Sequence, residues 1–132
     1  GAGTAGGLGF GLMLLGGTVV SGIELVADAV DLHNQAAAHD LVITGEGTYD
    51  FSSRSGKAVF GVATVAAAAA RPCIVLAGQV SVGSREMRAM GVESAYSMAD
   101  LVGLDAALGA PYASLAALAE RVARTWSPRG VE

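Results

Sequence analysis

The stretch DLVITGEGTYD, residues 40–50, joins a short apolar run to two glycines and two carboxylates that follow it. Its apolar part, residues 41–43, is unbroken, which is typical of a parallel strand that is buried on both faces. We therefore predict a strand that ends at Thr44 and continues into a loop. Glu46 and Asp50 would then follow the end of that strand, where open parallel sheets bind their ligands.

Segments typical of strands and of helices alternate outside this stretch. An alanine-rich segment at residues 57–70 predicts a long helix, and Pro72 ends it because proline cannot continue a helix. Short apolar runs at residues 74–77 and 92–97 predict two more buried strands. This order predicts an α/β fold, namely a Rossmann-like, three-layer parallel sheet flanked by helices, with right-handed crossovers.

Helices are also predicted near both ends of the chain. Residues 8–15 are expected to form a helix whose glycines allow close packing against its neighbours. Ser21 is suited to cap the helix that follows, and Pro111 is suited to begin the last one. The face of the last helix that packs on the sheet is predicted to carry four apolar residues: Leu115, Leu118, Val122 and Trp126.

The composition is that of a folded, acidic protein. Of the 132 residues, 52% are hydrophobic, which is enough for a sizeable core in one domain. The net charge is -4 and the basic residues form no long run, so nucleic-acid binding is not expected. Residues 58–70 are too few to cross a bilayer, which needs roughly 20 apolar residues. We therefore expect no membrane partner. Because Cys73 is the only cysteine, we expect a reducing compartment, namely the cytoplasm.

The residues around Glu46 suggest a site for a metal and a nucleotide. Glu46 and Asp50 carry hard oxygen ligands of the kind that Mg²⁺ prefers. Gly45 and Gly47 would let backbone amides approach a phosphate closely. The alternative is an ordinary turn whose carboxylates are solvated.

Two further glycine-containing segments could bind an anion. Gly56 and Lys57 come at the start of the predicted long helix, where backbone amides, the helix dipole and a lysine can converge, although a surface lysine is the alternative. Gly1, Gly3 and Gly6 match the spacing G-x-G-x-x-G, but no strand precedes them as a dinucleotide site requires. They form either a flexible anion or substrate loop or a position of close helix packing.

Four segments together resemble the glycerate kinase family in residues, order and spacing: GAGTAGGLGFGL, SGIELV, DLVITGEGTYDFSSRSGKAVFGVA and IVLAG. The most specific element is TGEG with Asp50, Gly56 and Lys57 in register. The resemblance implies phosphoryl transfer from ATP to D-glycerate with Mg²⁺. It also implies a larger two-domain protein, whose α/β domain combines N- and C-terminal segments around an inserted middle domain.

The resemblance also implies where parts of this chain belong. Residues 1–38 would supply a glycine-rich loop and helices near the interdomain cleft, and residues 39–132 would supply the α/β part. The glycines of the loop at the cleft would be Gly1, Gly3, Gly6 and Gly7. Of the catalytic residues, Glu46 or Asp50 would meet the metal or the substrate hydroxyl, and Lys57 would meet the developing phosphate charge.

Two positions depart from the pattern of the family. Thr48 stands where an arginine is usual, and Ser52 stands where a glutamine is usual. Losing a guanidinium removes a bidentate clamp on phosphate or carboxylate groups. We therefore expect either the C-terminal portion of a glycerate kinase, inactive without its N-terminal segment, or a non-catalytic module that binds a nucleotide or sugar acid. Such chains could also form a homodimer.

Overall fold

The structure, a computed structural model, describes residues 2–51 and 58–127. In this part of the chain, three parallel strands form one sheet in the order β1-β2-β3, with helices on both faces. The strands are β1 (Val42–Tyr49), β2 (Cys73–Val80) and β3 (Ser94–Ser97). The helices are α1 (Leu8–Leu14), α2 (Gly22–Ala29), α3 (Leu32–Ala38), α4 (Ala58–Ala68), α5 (Ser84–Ala89), α6 (Met98–Val102), α7 (Leu104–Gly109) and α8 (Pro111–Trp126). The predicted α/β class is confirmed.

The first strand is longer than the sequence predicts. β1 does not end at Thr44 but pairs with β2 in parallel from Val42 to Tyr49. The glycine at position 45 is a strand residue, because a Cβ atom there would overlap the carbonyl oxygen of Leu76 on β2. Glycine within a strand often marks such a close approach of two backbones. The predicted loop directly after Thr44 is therefore wrong.

Each face of the sheet is covered by a different part of the chain. On one face, Val59, Ala63 and Ala66 of α4 join the larger buried cluster, together with Val75 of β2. On the other face, Leu118 and Val122 of α8 pack with Ile74 of β2 in a smaller cluster. Burying apolar side chains on both faces is the main favourable contribution to folding, and it explains why β2 lies in the middle.

Helix α8 packs on the sheet from Leu118 onward. Leu118 and Val122 are buried as predicted, and the indole of Trp126 donates a hydrogen bond to the hydroxyl of Tyr96 over 2.9 Å. Leu115, however, is 43% exposed, so its predicted place on the packed face is wrong. Before Leu118 the buried residue is Ser114, whose hydroxyl donates to the carbonyl of Ala110.

The first helix forms where the sequence predicts but packs differently. Within the described residues, α1 makes extensive contact only with the preceding 3-10 turn, Thr4–Gly7. Its apolar side chains are exposed, including Phe10 and Leu12. The expected close packing through Gly11 is wrong, because an added Cβ at that glycine would meet nothing within 4 Å.

The lone thiol lies in the core, as its apolar surroundings in the sequence predict. Cys73 is buried at the start of β2, and this burial raises its pKa from 9.0 to about 11. A thiol held in its protonated form is a poor nucleophile. Of the helices in residues 2–51 and 58–127, none combines the length and the hydropathy needed to cross a bilayer.

Candidate site at the carboxyl end of the first strand

Strand β1 places the two predicted carboxylates at different points. Glu46 lies within the strand, opposite Ala77 of β2, and is half-buried. Asp50 follows directly after the strand and is also half-buried. Because a strand rises about 3.3 Å per residue, the two Cα atoms are separated by roughly 13 Å along the strand direction. The sequence predicted that both carboxylates follow the end of the strand. In the structure only Asp50 does so, and the two side chains do not form a pair in one turn.

Exposure varies along β1 and does not follow a strict alternation of faces. Val42 is buried and Glu46 is half-buried, whereas Ile43, Gly45 and Gly47 are exposed. The backbone at Gly47 has no side chain of its own, and an added Cβ there would meet nothing within 4 Å. A ligand can therefore approach the backbone of β1 closely at Gly47.

The neighbouring strand continues this bare backbone surface. Gly78 of β2 comes opposite Gly47 in the register, between the pairs Glu46↔Ala77 and Thr48↔Gln79. A Cβ atom at Gly78 would lie 2.5 Å from the carbonyl oxygen of Gly47, so only glycine fits there. The two strands thus approach each other without side chains near their carboxyl ends, where ligands bind in folds of this type.

Tyr49 lies in the core although it precedes Asp50 directly. Its side chain is fully buried in the cluster beneath α4. Its hydroxyl has no hydrogen-bond partner in the described part of the chain. Burial, and next the nearby charge of Glu46, raise the pKa of Tyr49 from 10.0 to about 12. Tyr49 therefore belongs to the packed base of the site.

The described residues fit a magnesium–phosphate ligand only in part. Among them, no group of three or more His, Cys, Asp or Glu side chains comes together to hold a metal ion. Mg²⁺, however, is commonly bound through one or two carboxylates together with substrate phosphates and waters. Glu46 and Asp50 each supply one such carboxylate, so the donor set is compatible with a metal that is bound together with a nucleotide.

Several predicted site residues lie elsewhere or outside the described residues. Gly1, Gly56 and Lys57 lie outside them. Gly3 immediately precedes the 3-10 turn Thr4–Gly7, which contains Gly6 and Gly7, both with positive φ, and leads into α1. This glycine turn makes no extensive contact with β1 among the described residues, so the structure does not bring it to Glu46 and Asp50.

Comparison with known proteins agrees with this fold and this motif. The sequence matches the glycerate kinase family over residues 1–127. An uncharacterized protein of Mycobacterium bovis is 42% identical over 103 residues, which cover 78% of this chain and 27% of that protein. The glycerate 2-kinase of Escherichia coli K12 is 37% identical over 127 residues, which cover 95% of this chain and 33% of that protein.

A solved structure shares the fold. The crystal structure of a protein assigned as glycerate kinase 2 from Salmonella typhimurium LT2 superimposes with a TM-score of 0.58 at 30% identity. The superposition covers 96% of this chain and 34% of that protein. This chain thus spans about a third of the length of its relatives. From the match over nearly its whole length and the shared architecture, the chain belongs to the glycerate kinase family.

Proposed function

We propose that this chain is the part of a glycerate kinase that supplies the carboxyl end of β1 to the active site. The reaction would transfer the terminal phosphoryl group of ATP to a hydroxyl of D-glycerate with Mg²⁺. The observation that carries the proposal is the exposed backbone at Gly47, which has Glu46 beside it and Asp50 just beyond the strand. Membership of the family supports the same reaction.

The separation of the two carboxylates favours a division of roles. Because their Cα atoms are roughly 13 Å apart along the strand, each carboxylate would act at a different point of the reacting complex. Asp50, beyond the end of β1, would act on the metal–nucleotide side. Glu46, in the middle of the strand, would accept a hydrogen bond from a substrate hydroxyl. When bound, Mg²⁺ would neutralise charge on the phosphate oxygens.

The bare backbone and the lysine would complete the site. The open surface at Gly47 would let ligand oxygens approach main-chain amides without meeting a side chain, and Gly45 would contribute through its backbone amide. Gly56 and Lys57 directly precede α4 in the sequence, where amides and an ammonium are suited to meet phosphate charge. Gly3, Gly6 and Gly7, with Gly1, would serve the same cleft from the glycine-rich segment. The cytoplasm, where ATP is available, is the compartment that we propose.

The experiment is an assay of the full-length protein with ATP, Mg²⁺ and D-glycerate. We expect ADP and phosphoglycerate to be released in equal amounts, and chelation of Mg²⁺ to stop the reaction. Asp50→Asn should lower kcat by roughly a hundredfold or more, because it removes a charged ligand near the transferred group. Asp105→Asn, which makes the same change in the first turn of α7, should leave kcat unchanged.

The same assay separates the enzyme from the non-catalytic module that Thr48 and Ser52 also suggest. If nucleotide or glycerate binds in a calorimeter but no ADP is released from the full-length protein, the module is supported and the kinase proposal is wrong. If kcat falls equally in Asp50→Asn and Asp105→Asn, the carboxyl end of β1 is not the site.

A further inference from the structure

Met98 borders the bare backbone at Gly47 from the third strand. It is the first residue of α6 and directly follows Ser97, which ends β3. A Cβ atom placed at Gly78 would lie 2.5 Å from the carbonyl oxygen of Gly47 and 3.7 Å from the terminal methyl group of Met98. The carbonyl and the methyl group are therefore neighbours. The open backbone near the carboxyl end of β1 thus has an apolar side chain beside it, although the two residues are distant in the sequence.

A buried hydroxyl fixes the start of α6 to this part of the sheet. Ser97 is buried, and its hydroxyl accepts a hydrogen bond from the amide of Asp100 over 3.1 Å, which caps α6. The same hydroxyl donates to the carbonyl oxygen of Gly78 over 3.5 Å. One hydroxyl can make both bonds because it has one proton and two lone pairs. Ser97 thereby ties α6 to the residue opposite Gly47 and holds Met98 beside it.

The side chain of Met98 is suited to contact carbon atoms of a ligand. It packs against the smaller cluster beneath α8 but is only half-buried, so part of its surface is accessible within the described part of the chain. A thioether is polarizable, and its unbranched chain adapts to the shape of an apolar neighbour. Met98 therefore adds an apolar group to a site whose other groups, as described above, are carboxylates and main-chain atoms.

Met98 lies on the substrate side in the division of roles proposed above. Gly47 follows Glu46 directly, whereas Asp50 comes three residues later, beyond the strand. The carbonyl next to Met98 is thus closer along the chain to the residue that would meet the substrate hydroxyl than to the residue on the metal–nucleotide side. A hydroxy acid brings carbon atoms to this point together with its hydroxyl groups, and an apolar side chain can pack against those carbon atoms.

We propose that Met98 is a specificity-determining residue, which packs against the carbon chain of the sugar acid and limits its length to three carbons. This inference rests on the proposed function, because it takes a hydroxy acid as the acceptor. An apolar group discriminates between ligands that differ by one carbon through the space that it occupies, and one such difference changes kcat/KM by roughly 10- to 200-fold. Truncating Met98 should therefore admit a longer acid without stopping the reaction.

The test compares D-glycerate with D-erythronate, the trihydroxy acid that is one carbon longer, in the full-length protein. The wild type should favour D-glycerate. Met98→Ala should shift the ratio of the two kcat/KM values toward D-erythronate by roughly tenfold or more, because it removes the group that the fourth carbon would meet. Met98→Leu keeps a side chain of similar volume and should keep the ratio of the wild type.

Met90→Ala is the matched control. It removes the same atoms at the end of α5, from the buried cluster beneath α4, so it should lower stability and leave the ratio unchanged. Loss of folded protein lowers the rates with both acids equally and does not alter their ratio. The proposal is wrong if Met98→Ala has the ratio of the wild type, or if Met90→Ala shifts the ratio by as much as Met98→Ala does.

Calorimetric titration with both acids separates this inference from the proposed function. A shifted ratio of the two Kd values in Met98→Ala, without ADP release from the wild type, would support the role of Met98 and contradict the kinase proposal. ADP release from the wild type with an unchanged ratio in Met98→Ala would contradict the role of Met98 alone. Binding of neither acid would contradict both.

Discussion

At the scale of single residues, the glycines of β1 and β2 have unequal roles. Gly45 and Gly78 are required because a neighbouring backbone carbonyl occupies the space of a side chain. Gly47 lies between them in the same surface and has open space around it. Packing therefore explains the first two glycines, whereas access to the backbone is the simplest reason for the third.

Replacing these glycines should separate packing from access. Gly45→Ala should lower the free energy of unfolding by about 1–3 kcal/mol, because its methyl group would overlap the carbonyl of Leu76. Gly47→Ala is the matched control and should change the free energy by less than about 1 kcal/mol. Urea denaturation of both variants measures the difference. Equal losses would show that the close approach of β1 and β2 at Gly45 is not the cause.

The buried hydroxyl of Tyr49 should make stability depend on pH in alkaline solution. Folding raises the pKa of Tyr49 from 10.0 to about 12, so the folded state favours the protonated phenol. Its contribution is therefore fully present below pH 10 and is lost as the pH rises toward 12, by about 2–3 kcal/mol for a shift of this size.

Tyr49→Phe tests this contribution. At neutral pH the variant should be as stable as the wild type or more stable, by up to about 2 kcal/mol, because the buried hydroxyl has no partner. In alkaline solution it should lose less stability than the wild type. The measurement is chemical denaturation at a series of pH values, with Tyr112→Phe, at an 89% exposed position, as the control. Parallel pH profiles for the wild type and Tyr49→Phe would contradict the prediction.

At the scale of elements, helix α8 changes its packing partner along its length. From Leu118 onward it packs on β2 and β3 through Leu118 and Val122, whereas its earlier residues pack on α7. Ser114 is buried in this earlier part, where its hydroxyl donates to the carbonyls of Ala106 and Ala110. A helix that passes from a sheet to another helix cannot keep one continuous apolar face.

Two leucines one turn apart on α8 should therefore respond differently to truncation. Leu118→Ala should lower the free energy of unfolding by about 2–5 kcal/mol, because it leaves a cavity beside Ile74. Leu115→Ala should lower the free energy of unfolding by less than about 1 kcal/mol, because its side chain is already partly exposed. Thermal and urea unfolding at low protein concentration provide the comparison. A large loss in Leu115→Ala would mean that α8 packs along its whole predicted face.

At the scale of the whole molecule, apolar exposure is concentrated near the start of the chain. Five apolar side chains there are more than half exposed: Leu8, Phe10, Leu12 and Leu14 of α1, and Leu15, which follows α1 directly. A helix that is apolar on every side is normally buried. The relatives described above are about three times longer than this chain.

The isolated 132-residue chain should therefore present an apolar surface to solvent. We expect it to bind a hydrophobic fluorescent dye, and Leu12→Ser with Leu14→Ser to reduce that binding severalfold, because both side chains are exposed on α1. Ala2→Ser with Thr4→Ser, in the preceding turn, is the control and should leave dye binding unchanged. Undiminished fluorescence in the leucine variant would place the apolar surface elsewhere.

The sequence by itself determined the fold class, the order of the three strands and the family. Unbroken apolar runs, proline stops and alanine-rich segments are local signals, so they indicate strands and helices without knowledge of their neighbours. The TGEG motif followed by Asp50 is local in the same way, and it is the most specific of the four segments that carry the glycerate kinase resemblance, which the comparisons confirmed.

Only the tertiary structure decided where β1 ends, how Glu46 and Asp50 are separated, and which part of α8 meets the sheet. The end of β1 depends on β2, which is distant in the sequence, because strand pairing and not local preference extends it through Gly45 and Gly47 to Tyr49. The same long-range contacts bury Tyr49 and leave Leu115 exposed. A sequence pattern describes what each residue prefers, whereas burial depends on which other residues occupy the space around it.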